Sequence, residues 1–295
     1  MSDDRDQHRA SEEGSGYRGV DAPGPEPDTG VPGFGTALTA LITGLALALL
    51  LSWATALVGA SLTAAILLGE LGFLVGVVLH LAARGFRVAE AMRLRAVRPA
   101  AYPLALQLGL ALLLANFAAS VLLGPPAQDV RFIAEAESAL ERAMLLFGVA
   151  LAAPLIEEAL FRGLLQGALE RRVHHWLAIG VAGLAFAVLH GPAAAPFFVV
   201  WSLPVGWVTW RLASIAPAVV VHAVNNLVGV VGLLAAGVEP RDPAAPGSGV
   251  VAVAFAALGF SVIWAVRLCQ RLGGLASRSG PFDRHDAETK PGART

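Results

Sequence analysis

Residues 143–169 read AMLLFGVALAAPLIEEALFRGLLQGAL. As a helix this run is about 40 Å long at 1.5 Å per residue. The hydrocarbon core of a bilayer is about 30 Å thick. The stretch is therefore long and apolar enough to cross a membrane, yet it holds Glu157, Glu158 and Arg162. A charge at bilayer depth costs at least ~2.5–3.5 kcal/mol, so groups retained there have partners or chemistry to perform.

Outward from this run the same texture recurs. Apolar blocks fall at about 35–58, 61–82 and 102–123 before it, and at about 176–192, 194–212, 214–236 and 249–268 after it. The expected fold is all-α, a polytopic membrane protein with about eight transmembrane helices in a bundle. Of the 295 residues, 56% are apolar and 15% charged, against about 25% charged in soluble domains. That balance excludes a disordered chain and argues against a soluble enzyme. Cys269 is the single cysteine, which excludes a disulfide scaffold. A net charge of −1 gives no basic field for nucleic acid. The expected partner on this ground is membrane lipid.

Three regions follow. Residues 1–33 hold eight acidic residues among Gly and Pro, and are expected to be a disordered tail. Residues 34–272 form the transmembrane domain, and 273–295 a second loose tail. No internal repeat is visible. Kinks are expected at Pro204 and Pro217. Asp129, Glu135, Glu137 and Glu141, spaced among Ala, Ile and Leu, suggest a surface helix after the third span. With eight spans, seventeen of the 21 basic residues fall in the tails and even-numbered connections, leaving Arg131, Arg142 and Arg241 opposite and Arg162 inside a span. By the positive-inside rule the chain is a multi-pass protein of the cell membrane with both termini cytoplasmic.

The ionisable residues inside the spans are few: Glu70, Glu157, Glu158, Arg162, His190 and His222. Glu158 and Arg162, four apart, share a helix face and pair. Glu157 points about 100° away and lacks that partner, as a general base requires. The alternative is one buried ion network that fixes packing. His190 ends an apolar run and reads either as a packing residue or as a site group. His222 and Asn226 are also four apart and can face one point, as an oxyanion site or as interhelical glue. Glu70 has several readings: snorkelling, pairing with another helix, or gating substrate access. Gln107 and Asn116 read as interhelical hydrogen bonds.

Glu157-Glu158 with Arg162, Phe186 with His190, and His222 with Asn226, in that order on three apolar spans, resemble the CPBP family of intramembrane proteases. That family includes the type II CAAX prenyl endopeptidases and bacterial immunity-type relatives. The resemblance is best over 140–236. It implies that Glu157 activates water, that His190 holds it, that His222 and Asn226 form the oxyanion site, and that Glu158 and Arg162 support them. No cofactor is expected. Zinc remains the alternative, since two Glu and two His could ligate it, but there is no HExxH. The expected function is an intramembrane endopeptidase acting on a membrane-associated or prenylated peptide. The competing readings are a proton-coupled transporter and a non-catalytic, immunity-type peptide-binding protein.

Overall fold

The computed structural model describes residues 31–124, 133, 136, 138–191, 194–236 and 247–276. Most of both tails, and Asp129, Glu135 and Glu137 of the expected surface helix, lie outside the described residues. Glu141, the last member of that acidic group, has another part. Ser138 and Glu141 form a capping box, each side chain bonding to the other's backbone N–H, and so start the central helix.

The chain is all helix. α1 (Phe34–Leu57) and α2 (Leu62–Ala83) form a hairpin, and Ser61 caps α2 by accepting from the Ala64 N–H at 3.3 Å. A short turn, α3 (Val88–Ala91), leads to α4 (Ala101–Leu123). The quoted apolar run lies in α5 (Ala139–Glu170). Then come α6 (His175–Leu189), α7 (Ala195–Leu212), α8 (Ala216–Ala236) and α9 (Ser248–Gly273).

Six of these helices, α1, α2, α4, α5, α8 and α9, are long and apolar enough to cross a membrane. The molecule is a multi-pass membrane protein. The expectation of eight spans meets a difference at α6 and α7, which are apolar but shorter. At 15 residues α6 is about 22 Å long. It stops at His190 because Gly191 turns the backbone with φ +98°. Pro204 does lie inside α7. Pro217 is instead the second residue of α8, in a first turn where a missing N–H costs nothing.

Packing is inverted relative to a soluble protein. Ile42, Leu49 and Trp53 of α1 and Val253, Phe255 and Ile263 of α9 are exposed. Such a broad apolar exterior suits lipid. α5 is the buried centre, with every residue from Glu158 to Leu169 inside the bundle. Small residues let backbones approach. A Cβ on Gly76 would stand 2.7 Å from the Gly44 Cα, so α1 and α2 pack closely only with glycine there.

One end of the bundle is tied together by loops. Arg171 donates to the Val31 carbonyl at 2.5 Å, Ile215 N to the Arg93 carbonyl at 3.2 Å, and Arg211 to the Gly273 carbonyl at 3.4 Å. The start of α1, the α2–α4 connection and the α7–α8 connection thus share one end with the close of α5 and of α9.

α5 is not uniformly α-helical. Leu145–Ala152 and Glu158–Leu165 are π-helical, flanking the α-helical turn Ala153–Glu157. The Ala153 N–H donates five residues back, to the Gly148 carbonyl. In that register the next donor would be residue 154, which is proline and has no N–H. The Val149 carbonyl is left open, and Asn226 Nδ2 of α8 donates to it at 3.0 Å. Irregular stretches of this kind recur at functional sites.

Candidate active site

Glu157 and Glu158 close the α-helical turn and open the second π stretch of α5, so they sit where the helix is widest and most deeply buried. Glu158 is wholly buried and has two basic neighbours. Its Oε2 lies 3.4 Å from Arg162 Nε, and its Oε1 accepts from His222 Nδ1 at 2.9 Å. The expected pair is present, and His222 joins it.

The Arg162 guanidinium also donates to Ser202 Oγ at 2.7 Å. It lies over the Phe186 ring, 4.2 Å from the centroid, and 5.5 Å from that of Trp201. Phe186, Trp201 and Ser202 therefore hold the cation; the sequence marks Phe186 only as a motif residue beside His190 and does not single out Trp201 or Ser202. A faint signal existed in Ser202, a hydroxyl in an apolar run.

Glu157 lies among imidazoles. His222 Nε2 is 3.5 Å from its Oε2, and His190 Nε2 is 3.8 Å from its Oε1. The protons on both rings follow from their other partners, since carbonyl and carboxylate oxygens only accept. His190 Nδ1 donates to the Phe186 carbonyl at 2.9 Å, so the neutral ring presents an unprotonated Nε2 to Glu157. His222 Nδ1 carries the proton it gives to Glu158. Glu157 Oε2 itself has no hydrogen-bond partner.

These groups edge a cavity of about 700 Å³. Its walls come from α1, α2, α4, α5, α6, α7 and α8 and are mostly Leu, Ile, Val and Phe. Glu70, Glu157, His190, His222, Asn225 and Asn226 are the polar side chains that matter most on it. Such a chamber, apolar with a few convergent polar groups, is what a ligand site looks like.

The structure thus brings Glu157, Glu158, Arg162, His190 and His222 into one cluster. Asn226 is on the same wall, but one of its N–H groups is committed to the Val149 carbonyl. Asn225 gives its amide hydrogens to the Gly109 and Val221 carbonyls, at 3.2 and 3.0 Å, and leaves Oδ1 without a partner. Gln107 donates to the Pro103 carbonyl one turn earlier in α4, at 3.2 Å, rather than across helices. Asn116 lines the cavity. As for zinc, among the described residues no three His, Cys, Asp or Glu side chains are grouped so as to hold a metal ion. His190 and His222 are each held through Nδ1 and both turn Nε2 toward Glu157, so the donors present there are two imidazole nitrogens and one carboxylate.

Comparison with known proteins agrees with the motifs. No curated protein and no solved structure matches the chain. A family model does, over 139–228, the stretch from the start of α5 through most of α8 that carries every residue of the cluster. That family is described as type II CAAX prenyl endopeptidase Rce1-like, and the site-bearing segment of the chain is similar to it.

Proposed function

We propose that the protein is an intramembrane endopeptidase that hydrolyses a peptide bond of a membrane-associated substrate with a water activated by Glu157. One observation carries the reading. A carboxylate without a hydrogen-bond partner on Oε2 stands within 3.8 Å of two imidazole nitrogens, at the edge of a chamber inside a membrane bundle.

The steps follow from the protons. A water in the chamber donates one hydrogen bond to Glu157 and one to the unprotonated His190 Nε2. Glu157 takes a proton as the water oxygen bonds to the peptide carbonyl carbon. Negative charge then develops on the carbonyl oxygen. His222 meets it as an imidazolium, its Nδ1–H held by Glu158 and its Nε2–H turned to the chamber. The second N–H of Asn226 is the other donor. The C–N bond breaks as Glu157 returns its proton to the amine nitrogen, leaving a carboxyl group, an amine and the starting carboxylate. Glu158 and Arg162 act through His222 and position it.

The same reading places α6 and α7 across the membrane as a short pair, giving eight crossings with both termini cytoplasmic. The loops tied at one end of the bundle include those richest in arginine.

The test is cleavage of membrane-soluble peptides in proteoliposomes, by wild type and by Glu157→Gln, with and without a chelator. Cleavage by wild type in both conditions and by the variant in neither is the expected result. Solute flux without cleavage would replace the reading by transport. Binding without cleavage or flux would make the protein a peptide-holding scaffold. Loss of cleavage on chelation alone would return a metal to the site.

A further inference from the structure

Glu70 is a half-buried carboxylate that this reaction leaves unused. It stands on α2, and its Oε2 is shut off from solvent with no hydrogen-bond partner. It lines the same cavity as Glu157. An ionised group at membrane depth pairs with something, yet the basic groups of the region are engaged elsewhere. Arg162 is held by Glu158 and Ser202, His222 by Glu158, and His190 stands beside Glu157. Among the described residues, none makes an ion pair with Glu70.

Nor does its own helix supply a partner. The residues one turn away, Ile66, Leu67, Phe73 and Leu74, are apolar. Ser52, across on α1, gives its hydroxyl proton to the Ala65 carbonyl at 3.0 Å. The carboxylate is also firmly placed. At Gly69 there is no room for a Cβ beside Ser52 Oγ, so α1 and α2 are pressed together next to it. Among the described residues no partner is left to it, and the space it lines is the chamber.

We infer that Glu70 is the receptor for a positive charge on the bound peptide, an ammonium or guanidinium carried beside apolar side chains that fill the Leu- and Phe-lined wall. The inference rests on the reading of the chamber as a peptide site, but not on the hydrolytic step. It makes Glu70 a residue that selects substrate rather than one that cuts it. A lysine or arginine side chain and a free peptide N-terminus offer the same chemistry, and the experiment separates them.

Binding is measured with the non-cleaving Glu157→Gln protein in lipid nanodiscs and a set of fluorescent apolar peptides. One position carries Lys, norleucine or Glu, and the N-terminus is free or acetylated. Peptides with a positive charge are expected to bind at least tenfold more tightly than the acetylated norleucine peptide. Whether Lys or the free amine gives the gain names the source. Adding Glu70→Gln is expected to erase the difference, and Glu70→Lys to favour the Glu peptide. Equal binding of charged and neutral peptides, no binding at all, or a preference that survives Glu70→Gln overturns the inference. Should Glu70→Lys not fold, the isosteric Glu70→Gln comparison decides alone. Charge selection without any cleavage by wild type would uphold Glu70 and end the hydrolytic reading. Cleavage without charge selection would do the reverse.

Discussion

α5 carries two buried acid–guanidinium pairs, one turn of thought apart in chemistry and about three helical turns apart in space. Glu158 pairs with Arg162 on the same helix, and Glu170 pairs with Arg93 from the connection before α4. The second pair is complete. Arg93 reaches both Glu170 oxygens, Gln166 adds a bond to Oε1 at 2.7 Å, and the same amide satisfies the Gly206 carbonyl at 2.9 Å. The first pair is incomplete. Glu158 Oε2 and Arg162 Nη1 have no hydrogen-bond partner, and neither do Glu157 Oε2, Glu70 Oε2 and Asn225 Oδ1 around the chamber. Buried polar atoms are normally satisfied, and each exception asks for an explanation. Among the described residues the exceptions gather at the cavity. A buried charge alone therefore does not mark the site; an unsatisfied one does.

The largest effect that separates the two regions is chemical. Glu157→Gln removes the base but keeps the size and the neighbours of the side chain. Turnover in single-peptide assays is expected to fall by about 10³-fold, the scale of general-base catalysis, while the melting temperature stays within a degree or two. Near-normal turnover would remove Glu157 from the reaction.

Next comes the incomplete pair. Arg162→Met leaves Glu158 buried with the His222 ring as its one hydrogen-bond donor, and breaking a buried pair costs about 3–5 kcal/mol. The variant is expected to lose most of its folded yield. Glu158→Gln together with Arg162→Met removes both charges and is expected to regain much of that stability without activity. Denaturation in detergent reads both. If the double variant is as unstable as the single one, the pair does more than neutralise itself.

The two pairs also differ in how far the sequence discloses them. Glu158 and Arg162 are four residues apart, so helical periodicity alone pairs them. Glu170 and Arg93 are 77 positions apart, and Arg93 reads as one more loop cation until folding draws the α3–α4 connection under α5. That connection fits because Gly163 gives room to the Met92 carbonyl. His190 and His222 are visible as isolated imidazoles in apolar runs, whereas their convergence on Glu157 depends on three helices meeting. The apolar blocks show that the chain crosses the membrane repeatedly. They do not show that Gly191 ends α6 early, because periodicity is the same in a 15-residue helix and a longer one. The π stretches are hinted at only by Pro154.

Asn226 tests the join between local backbone and chemistry. It fills the carbonyl that Pro154 leaves open, and it also offers an N–H to the chamber. Asn226→Ala is expected to cost about 1–3 kcal/mol of stability for the unpaired Val149 carbonyl, and to lower turnover by about 10²-fold for the lost oxyanion donor. Asn226→Asp keeps an acceptor but loses both donors, so it should lower turnover at least as far. A fall in stability with turnover per folded molecule unchanged would make Asn226 a strut between α5 and α8 and leave His222 as the oxyanion donor.

The smallest expected effect belongs to the complete pair, and it is the sharpest test of the comparison. Arg93→Met deprives Glu170 of its guanidinium but leaves the Gln166 bond in place. A hydrogen bond to a charged group contributes about 1.5–3 kcal/mol, so stability should fall by that amount or less. Turnover per folded molecule should change less than twofold, because no atom of this cluster lines the chamber. Arg93 also has φ +54°, a left-handed backbone in which glycine is at ease. Arg93→Gly loses the pair but relieves that backbone, and should therefore be more stable than Arg93→Met. A large loss of turnover in either variant, at unchanged folded yield, would mean that the complete pair is coupled to the reaction and that satisfaction of its atoms does not separate scaffold from site.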